Sequence, residues 1–234
     1  AVGCRRCAME DLVGMFGKFY SGKTAFVTGH TGFKGAWLSL WLRDLGAHVH
    51  GFALAPHAPP NLHEALAPGT FANETIEDIS NFELVKQTLT DVKPDIVFHL
   101  AAQPLVRRSY DAPLETANTN ILGTAHVLEA LRANKNDCPV VVVTSDKCYE
   151  NDGTTRAFTE ADPLGGHDIY SASKAATEIM TRSWQRAFKG RIATARAGNV
   201  IGGGDYGIDR IVSDCVRSLE AGETIAVRSP TATR

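Results

Sequence analysis

Residues 24–35 read TAFVTGHTGFKG, and this stretch decides the fold. Its first five residues are typical of a buried strand, and three glycines then follow at the spacing G-x-x-G-x-x-G. Glycines permit a tight turn and a close approach of the backbone, and a helix that begins there directs free N–H groups towards an anion. A simple turn needs one glycine, so three in register favour a site for the pyrophosphate of a dinucleotide.

Helical and strand-like segments alternate along the rest of the chain. Apolar residues recur at helical spacing over residues 34–45, 82–92, 112–133, 170–188 and 208–219. Strand-like runs fall at 47–53, near 75–76, and at 96–100, 139–144, 192–196 and 224–227. The four valines at 140–143 predict a strand buried on both faces of a parallel sheet. Together the segments predict a doubly wound parallel α/β sheet.

The second predicted strand ends without the acidic residue that would bind a ribose hydroxyl. Residues 51–56 read GFALAP, which offers no basic residue for a 2′-phosphate either. The residues at this position therefore leave NAD and NADP open. Asp78 and Ile79, after the third strand, are candidates for the adenine end, and a plain surface acid is an equal alternative for Asp78.

Composition excludes several classes of protein. Among 234 residues, 24 Lys and Arg stand against 26 Asp and Glu, which gives a net charge of −2 and no basic footprint for nucleic acid or an anionic membrane. No run of 18 apolar residues is present, and the first residues lack the pattern of a secretory signal. Five cysteines, three of them scattered, do not form a disulfide framework. These features predict a soluble cytoplasmic protein.

Two motifs near the N-terminus are interpreted as coincidental. Residues 17–24 read GKFYSGKT, a match to the phosphate-binding loop, but a strand follows it where such a loop opens a helix. We interpret it as a polar lead-in to the first strand. Cys4 and Cys7 form a C-x-x-C without a second ligand pair, so no metal site is predicted. Residues 1–15 are predicted to be a disordered leader.

A Y-x-x-x-K motif supplies the candidate chemistry. Tyr170 and Lys174 lie four residues apart, which places both side chains on one face of a predicted helix. An ammonium beside an oxidised nicotinamide favours the phenolate, so the tyrosine becomes a base for an alcohol proton. Ser145, directly after the valine strand, completes the group. Asn120 is interpreted as structural, a tie between the long helix and the active-site strand.

These motifs together resemble the extended short-chain dehydrogenase/reductase family, whose members have a Rossmann fold. The resemblance rests on TGHTGFKG, on HLAAQP at 99–104 and on YSASK at 170–174. Within that family, TSDKCYEN at 144–151, LGGHD at 164–168 and RAGNVIGGGD at 196–205 are similar to the CDP-glucose 4,6-dehydratases. The resemblance implies NAD as cofactor, a nucleotide sugar (CDP-glucose) as substrate, and a homodimer or higher homo-oligomer.

The resemblance also implies roles for individual residues. The implied cofactor contacts are Gly29, Thr31, Gly32, Phe33, Lys34, Gly35, Asp78, Ile79, Leu100, Ala101, Ala102, Gln103, Tyr170 and Lys174. Tyr170 would take the proton of the sugar 4-hydroxyl, Lys174 would hold the nicotinamide ribose, and Ser145 would hydrogen-bond the 4-oxygen. Asp146 would protonate the leaving 6-hydroxyl. Lys147 stands where dehydratases of dTDP-glucose carry Glu, and our hypothesis is that it removes the proton from carbon 5.

The substrate side is predicted less completely. Asn199, Arg107 and Arg210 are candidate substrate contacts, and surface arginines are an equal alternative for the last two. We expect residues 16–197 to form an NAD-binding domain that carries the catalytic residues. Residues 198–234 are expected to begin a small, truncated substrate-binding part, whose remainder the resemblance places outside this chain.

Three other functions remain open at this point. Another sugar-nucleotide 4,6-dehydratase or a 4-epimerase of the same fold would share Tyr170 and Lys174, although an epimerase has no use for an acid/base pair at 146 and 147. A dinucleotide-binding protein without catalysis would share the glycine loop. A phosphate-loop NTPase would depend on Lys23.

Overall fold

The computed structural model describes residues 16–57, 59–151, 153 and 156–227. The strands are β1 (Thr24–Thr28), β2 (His48–Ala53), β3 (Asn73–Ile76), β4 (Ile96–His99), β5 (Val140–Val143) and β6 (Ile192–Ala195). The α-helices are α1 (Phe33–Asp44), α2 (Leu62–Ala65), α3 (Phe82–Val92), α4 (Val106–Asp111), α5 (Pro113–Ala117), α6 (Gly123–Ala133), α7 (Ile169–Phe188) and α8 (Ile211–Glu220). A π-helical turn, Asn118–Leu122, joins α5 to α6, and a 3₁₀ turn, Asp146–Cys148, follows β5.

All six strands are parallel and lie in the order β3-β2-β1-β4-β5-β6. This is the doubly wound arrangement that the alternating pattern predicts. The order of strands reverses at β1, where Val27 pairs with Gly51 on one side and Phe98 on the other. At such a reversal the loops after two neighbouring strands diverge, and a crevice opens at their carboxyl ends.

Apolar side chains cover the two faces of the sheet unequally. On one face, Phe26, Phe52 and Val97 pack with residues of α3 and α6 in the larger core cluster. On the other face, a smaller cluster joins Val27 and its neighbours to Leu42 of α1. The larger face therefore supplies most of the apolar burial that stabilises the domain.

Burial of the valine strand on both faces is confirmed for one face only. Val140 and Val142 are buried in the larger cluster, whereas Val141 and Val143 are half-buried. The helix on the second face, α1, packs on β1 and β2, at a distance from β5. A continuous run of valines in one strand cannot show how far a covering helix extends, and the prediction failed for that reason.

The structure also bears on the last predicted strand and on the match to a phosphate-binding loop. Residues 224–227, predicted as a strand, form no strand among the described residues. Residues 16–22 form turns that lead into β1, so a strand follows residues 17–24 where a phosphate loop would open a helix. Cys4 and Cys7 lie outside the described residues.

Substituting two glycines of the loop with alanine would test how the first turn of α1 packs. A Cβ on Gly35 would lie 2.1 Å from the Gly29 carbonyl oxygen, whereas a Cβ on Gly32 would meet that atom at 3.4 Å, an ordinary contact. Gly→Ala inside a helix normally stabilises, so a loss at Gly35→Ala reports the clash. We expect Gly35→Ala to lose about 1–3 kcal/mol of unfolding free energy, or roughly 3–10 °C in Tm. Gly32→Ala should change Tm little, and equal shifts in the two variants would contradict this packing.

Candidate active site

The turn after β1 and the segment after β4 lie against each other in the crevice. Gly29 has φ +71°, and a Cβ there would come within 2.8 Å of the Ala101 nitrogen. The Thr28 hydroxyl accepts hydrogen bonds from the N–H groups of Leu100 and Ala101, each at 3.1 Å. The structure therefore brings the predicted cofactor residues of the two segments together.

The N-terminus of α1 is left open to an anion. Gly32 is the N-cap residue, no side chain among the described residues caps it, and the first turn contains no acid. Uncapped N–H groups and the positive end of the helix dipole suit a pyrophosphate. Lys34 adds a cation whose pKa is lowered by burial and by Arg210. The uncapped start of α1 and the nearby lysine therefore fit the diphosphate of a dinucleotide.

Residues at the predicted adenine end of the cofactor site already form hydrogen bonds within the protein. Thr31 donates a hydrogen bond to the Leu54 carbonyl at 2.9 Å, across the strand end that lacks an acid. Asp78 accepts a hydrogen bond from the Ser80 N–H at 2.8 Å. The Ile79 side chain lies in the larger core cluster, and its carbonyl faces His126 Nδ1 at 3.0 Å. Ile79 can therefore meet a cofactor only through its remaining main-chain groups.

A buried histidine that sequence reasoning missed lies directly below the crevice. The Thr28 hydroxyl, which already accepts two hydrogen bonds, directs its proton to His99 Nδ1 at 2.7 Å. His99 Nε2 then donates to the Thr124 hydroxyl at 3.0 Å, which donates to the Asn120 carbonyl. Burial, reinforced by Lys174, lowers the pKa of His99 to about 3. The imidazole is therefore neutral and links β1, β4 and α6.

The side chain of Asn120 joins the π-helical turn to both sides of the site. Its oxygen accepts a hydrogen bond from the Gln103 N–H at 2.8 Å, and its amide donates to Ser173 of α7 at 2.8 Å. The interpretation of Asn120 as a structural tie agrees with these contacts. The Gln103 side chain bonds Thr116 and Leu105, so Gln103 offers a cofactor chiefly its main chain.

Helix α7 presents Tyr170 and Lys174 to the crevice from one face. Asp168 begins the helix by accepting hydrogen bonds from the Ser171 N–H and hydroxyl. Burial raises the pKa of Tyr170, and a hydrogen bond with Ser145 opposes that rise. Burial and the charge of Lys34 lower the pKa of Lys174 to about 8. The phenol is therefore protonated in the protein alone, and a bound cation beside it would be needed to favour the phenolate.

The predicted acid/base pair lies on the 3₁₀ turn beside Tyr170. The Ser145 hydroxyl is 3.0 Å from Asp146 Oδ1 and accepts the Lys147 N–H at 3.2 Å. The Asp146 N–H donates to the Ala197 carbonyl, which fixes the turn to the segment after β6. The charge of Asp146 reaches Tyr170 and raises its pKa. The structure therefore brings Ser145, Asp146 and Tyr170 together, with Lys147 half-buried on the same turn.

Cys148 follows that turn and packs in the interior. It is buried, and burial raises the pKa of its thiol to about 11. A thiol with such a pKa is a poor nucleophile near neutrality. The interpretation of Cys148 as a packing residue agrees with this environment.

Glu178 forms a buried charged cluster behind the site, which sequence reasoning also missed. Its carboxylate accepts hydrogen bonds from Thr144, Thr194 and Arg196. Burial alone would raise the pKa of Glu178, but these bonds together lower it. The cluster ties the ends of β5 and β6 to α7. The signal available was spacing, since Glu178 follows Lys174 by four residues on the same helix face.

The predicted substrate residues lie at the mouth of the crevice. Arg210 is 3.5 Å from Asp205, and its charge reaches both Tyr170 and Lys34. Arg107 pairs with Asp209 at 3.2 Å and is 70% exposed. Asn199 is exposed. Their role towards substrate stays a prediction.

A glycine segment lies over the first turns of α1. Trp37 Nε1 donates to the Gly203 carbonyl at 2.9 Å, and a Cβ on Gly202 would lie 3.2 Å from the Phe33 ring. A Cβ on Gly204 would lie 2.8 Å from the Leu62 side chain. The glycines therefore let this segment lie flat against the helix that carries the open N-terminus.

Fold and site together define a Rossmann-type domain with the active-site arrangement of a short-chain dehydrogenase/reductase. A model of the family described as GDP-mannose 4,6 dehydratase matches residues 26–228, and the chain belongs to this family. No helix in the described ranges is both long and apolar enough to cross a membrane.

Two relatives of the chain are named as 4,6-dehydratases of different nucleotide sugars. The chain is 44% identical over 221 residues to a CDP-glucose 4,6-dehydratase from Salmonella typhimurium, which covers 91% of this chain and 62% of that protein. A dTDP-glucose 4,6-dehydratase from Neisseria gonorrhoeae is 34% identical over 128 residues, or 51% of this chain and 37% of that protein. The chain thus spans less than two thirds of the length of these relatives.

A solved structure gives the same result for the fold. MoeE5, solved in complex with UDP-glucose and NAD, superposes with a TM-score of 0.70 at 27% identity, covering 86% of this chain and 62% of that one. The predicted fold class and family are therefore confirmed.

The neutral state of His99 predicts a specific pH dependence of stability. Its pKa is lowered in the folded state, so as pH falls through about 6.5 the unfolded chain takes up the proton first and stability is lost down to about pH 3. Between pH 7 and pH 5 this group should cost about 2 kcal/mol. We expect His99→Gln to be less stable at pH 7 but to lose about 2 kcal/mol less over that interval, in urea titrations. His167→Gln, at an exposed position, should keep the full dependence, and an equal loss in His99→Gln and the parent would refute the assignment.

Proposed function

We propose that the protein dehydrates CDP-glucose to CDP-4-dehydro-6-deoxy-glucose and water, with NAD as a cofactor that is regenerated in each cycle. The observation that carries the proposal is the meeting of Tyr170, Ser145 and Asp146 beside the open glycine loop. An alcohol oxidation uses the first two, and an elimination needs an acid in addition. The 44% identical relative is named for this reaction, which supports the choice of substrate.

The residues of the crevice support NAD as the cofactor. The open N-terminus of α1 and Lys34 suit the pyrophosphate, and in the proposal Lys174 hydrogen-bonds the nicotinamide ribose. The chemistry that NAD supplies when bound is removal of a hydride from sugar carbon 4 and its return at carbon 6. Ser145 and Tyr170 then act on the sugar hydroxyl that faces them.

The first half of the reaction depends on a proton transfer to Tyr170. Because burial raises the pKa of this phenol, the phenolate requires positive charge from Lys174 and from the bound cofactor. The Tyr170 phenolate takes the proton of the 4-hydroxyl, and the Ser145 hydroxyl donates a hydrogen bond to the 4-oxygen. The result is a ketone at carbon 4, which acidifies the proton on carbon 5.

The second half is an elimination across carbons 5 and 6. Lys147 removes the carbon-5 proton, and Asp146 protonates the 6-hydroxyl, which leaves as water. When the hydride returns at carbon 6, Lys147 gives its proton back to carbon 5, and the proton held by Tyr170 restores that of Asp146. Both residues lie on the short turn that the Asp146 N–H fastens to Ala197, so they move together with Ser145. An epimerase returns the hydride to carbon 4 and needs neither group.

Positive charge at the mouth supports binding of a nucleotide sugar. Arg210 lies within electrostatic reach of Tyr170, so a diphosphate held there would place the sugar over the reacting groups. Arg107 and Asn199 extend the same surface, and in the proposal they contact the substrate. We also propose a homo-oligomer through the outer faces of α5 and α7, where Leu114 and Ile179 are exposed.

Turnover and sugar specificity test the proposal directly. We expect CDP-glucose to yield a 4-keto product with alkaline absorbance, and dTDP- and GDP-sugars to yield far less. Tyr170→Phe should lower kcat by about 10²–10⁴-fold, because the base that takes the 4-hydroxyl proton is removed. Tyr110→Phe, at an exposed tyrosine, is the matched control and should keep full activity. Formation of a 4-epimer, or equal turnover of the other sugars, would overturn the assignment.

Exchange of the carbon-5 proton tests Lys147 separately. In D₂O with substrate and cofactor, we expect Lys147→Met to lose most deuterium incorporation at carbon 5, because the base is removed. Reduction of the cofactor, read by its absorbance, should persist, since Tyr170 and Ser145 are intact. Lys18→Met, at an exposed lysine, should exchange like the parent. Undiminished exchange in Lys147→Met would remove this residue from the role.

A further inference from the structure

Three side chains with metal-binding atoms meet beside the glycine loop, outside the proposed active site. His30 comes from the loop itself, His63 from α2 and Glu74 from β3. His30 Nε2 lies 2.9 Å from Glu74 Oε1, and His63 Nε2 lies 2.5 Å from the same oxygen. A ligand atom of each residue lies within 4.8 Å of the other two. They thus surround a single point.

The surrounding residues hold the two imidazoles in place. The Phe71 ring lies edge-on to His30 at 5.0 Å and stacks with His63 at 5.5 Å. His30 is fully buried, and a Cβ on Gly51 would lie 2.5 Å from its ring, so the glycine makes room for it. The Nδ1 atoms of His30 and His63 are buried and have no hydrogen-bond partner among the described residues.

The donor set matches a particular class of ion. Two imidazole nitrogens and one carboxylate are a common set for Zn²⁺, which takes a water as its fourth ligand. Burial favours the neutral imidazole of His30, the form that binds a metal. The side chains of His63 and Glu74 are 17% and 33% exposed, so solvent can supply the water.

The distances also suit a small rearrangement on binding. Ligand bonds of about 2.0–2.1 Å in a tetrahedral site separate ligand atoms by about 3.3 Å. The Glu74 carboxylate would therefore move by roughly half an ångström from its present hydrogen-bonded position. Glu74 is the most exposed of the three residues, so this movement meets little resistance.

We propose that His30, His63 and Glu74 bind one divalent transition-metal ion of the Zn²⁺ class, which fastens the glycine loop to β3 and α2. The ion has a structural role in this proposal, which is independent of the proposed reaction. Sequence analysis predicted no metal site because the three residues are spread over 45 positions without a ligand spacing. The fold alone brings them together.

Titration of the metal-free protein with Zn²⁺, followed by calorimetry and by Tm, tests the proposal. We expect one equivalent to bind and to raise Tm, since the ion binds the folded state. His63→Gln and Glu74→Gln should each weaken the affinity by at least about 100-fold, because each removes a ligand. His57→Gln, at an exposed histidine nearby, should bind like the parent. Circular dichroism would verify that each variant is folded.

Two further measurements separate this site from thiol binding at Cys4 and Cys7. The double variant Cys4→Ser/Cys7→Ser should keep the equivalent that His63→Gln loses. Co²⁺ in place of Zn²⁺ should give visible bands of a four-coordinate site that disappear in Glu74→Gln. The proposal is overturned if no saturable binding occurs, if both ligand variants bind like the parent, or if the cysteine variant alone loses the ion.

Discussion

The contact between the turn after β1 and the segment after β4 fixes the geometry of the whole crevice. Gly29 approaches Ala101 so closely that no side chain fits between them, and Gly35 lets α1 begin directly above the Gly29 carbonyl. The Thr28 hydroxyl holds the same contact with two hydrogen bonds from the main chain. Because this approach sets the direction of α1, it also sets where the free N–H groups of its first turn are aimed.

A continuous buried polar network connects that contact to α7. It runs from Thr28 through His99 and Thr124 to Asn120, whose amide reaches Ser173 of α7. Polar groups buried in this way are costly unless each is paired, so the network fixes a single arrangement of the elements it joins. The position of Tyr170 over the crevice thus depends on Thr28, which lies on the opposite side of β4.

The cluster around Glu178 also fixes the position of α7, by joining it to the ends of β5 and β6. Removing one partner of a buried ion pair lowers the stability of a protein by about 3–5 kcal/mol. The pair of Arg196 and Glu178 therefore holds the end of β6 firmly to α7. Ser145 and Asp146 follow β5 directly, and Thr144 bonds the same carboxylate. The 3₁₀ turn after β5 and helix α7 are therefore positioned by one shared group, the Glu178 carboxylate.

Sequence patterns predicted what depends on neighbouring residues, and missed what depends on topology. The spacing of Tyr170 and Lys174 and the three glycines are local signals, and the structure places these residues in one crevice. The partners of His99, Glu178 and Glu74 lie 11 to 71 residues away along the chain, and only Glu178 had a local signal, its spacing from Lys174. The exposure of Val141 and the unpaired residues 224–227 likewise depend on which elements lie alongside.

The charges of the crevice explain why the Tyr170 phenol is protonated in the protein alone. Burial raises the pKa of Tyr170 and lowers that of Lys174 to about 8, because both charged forms lose contact with water. An anionic diphosphate near Lys34 would offset the mutual repulsion of Lys34 and Lys174, and Lys174 would then hold its proton more firmly. A firmly protonated Lys174, together with an oxidised nicotinamide, lowers the cost of the phenolate. Under the proposed function, cofactor binding therefore completes the electrostatics of the base.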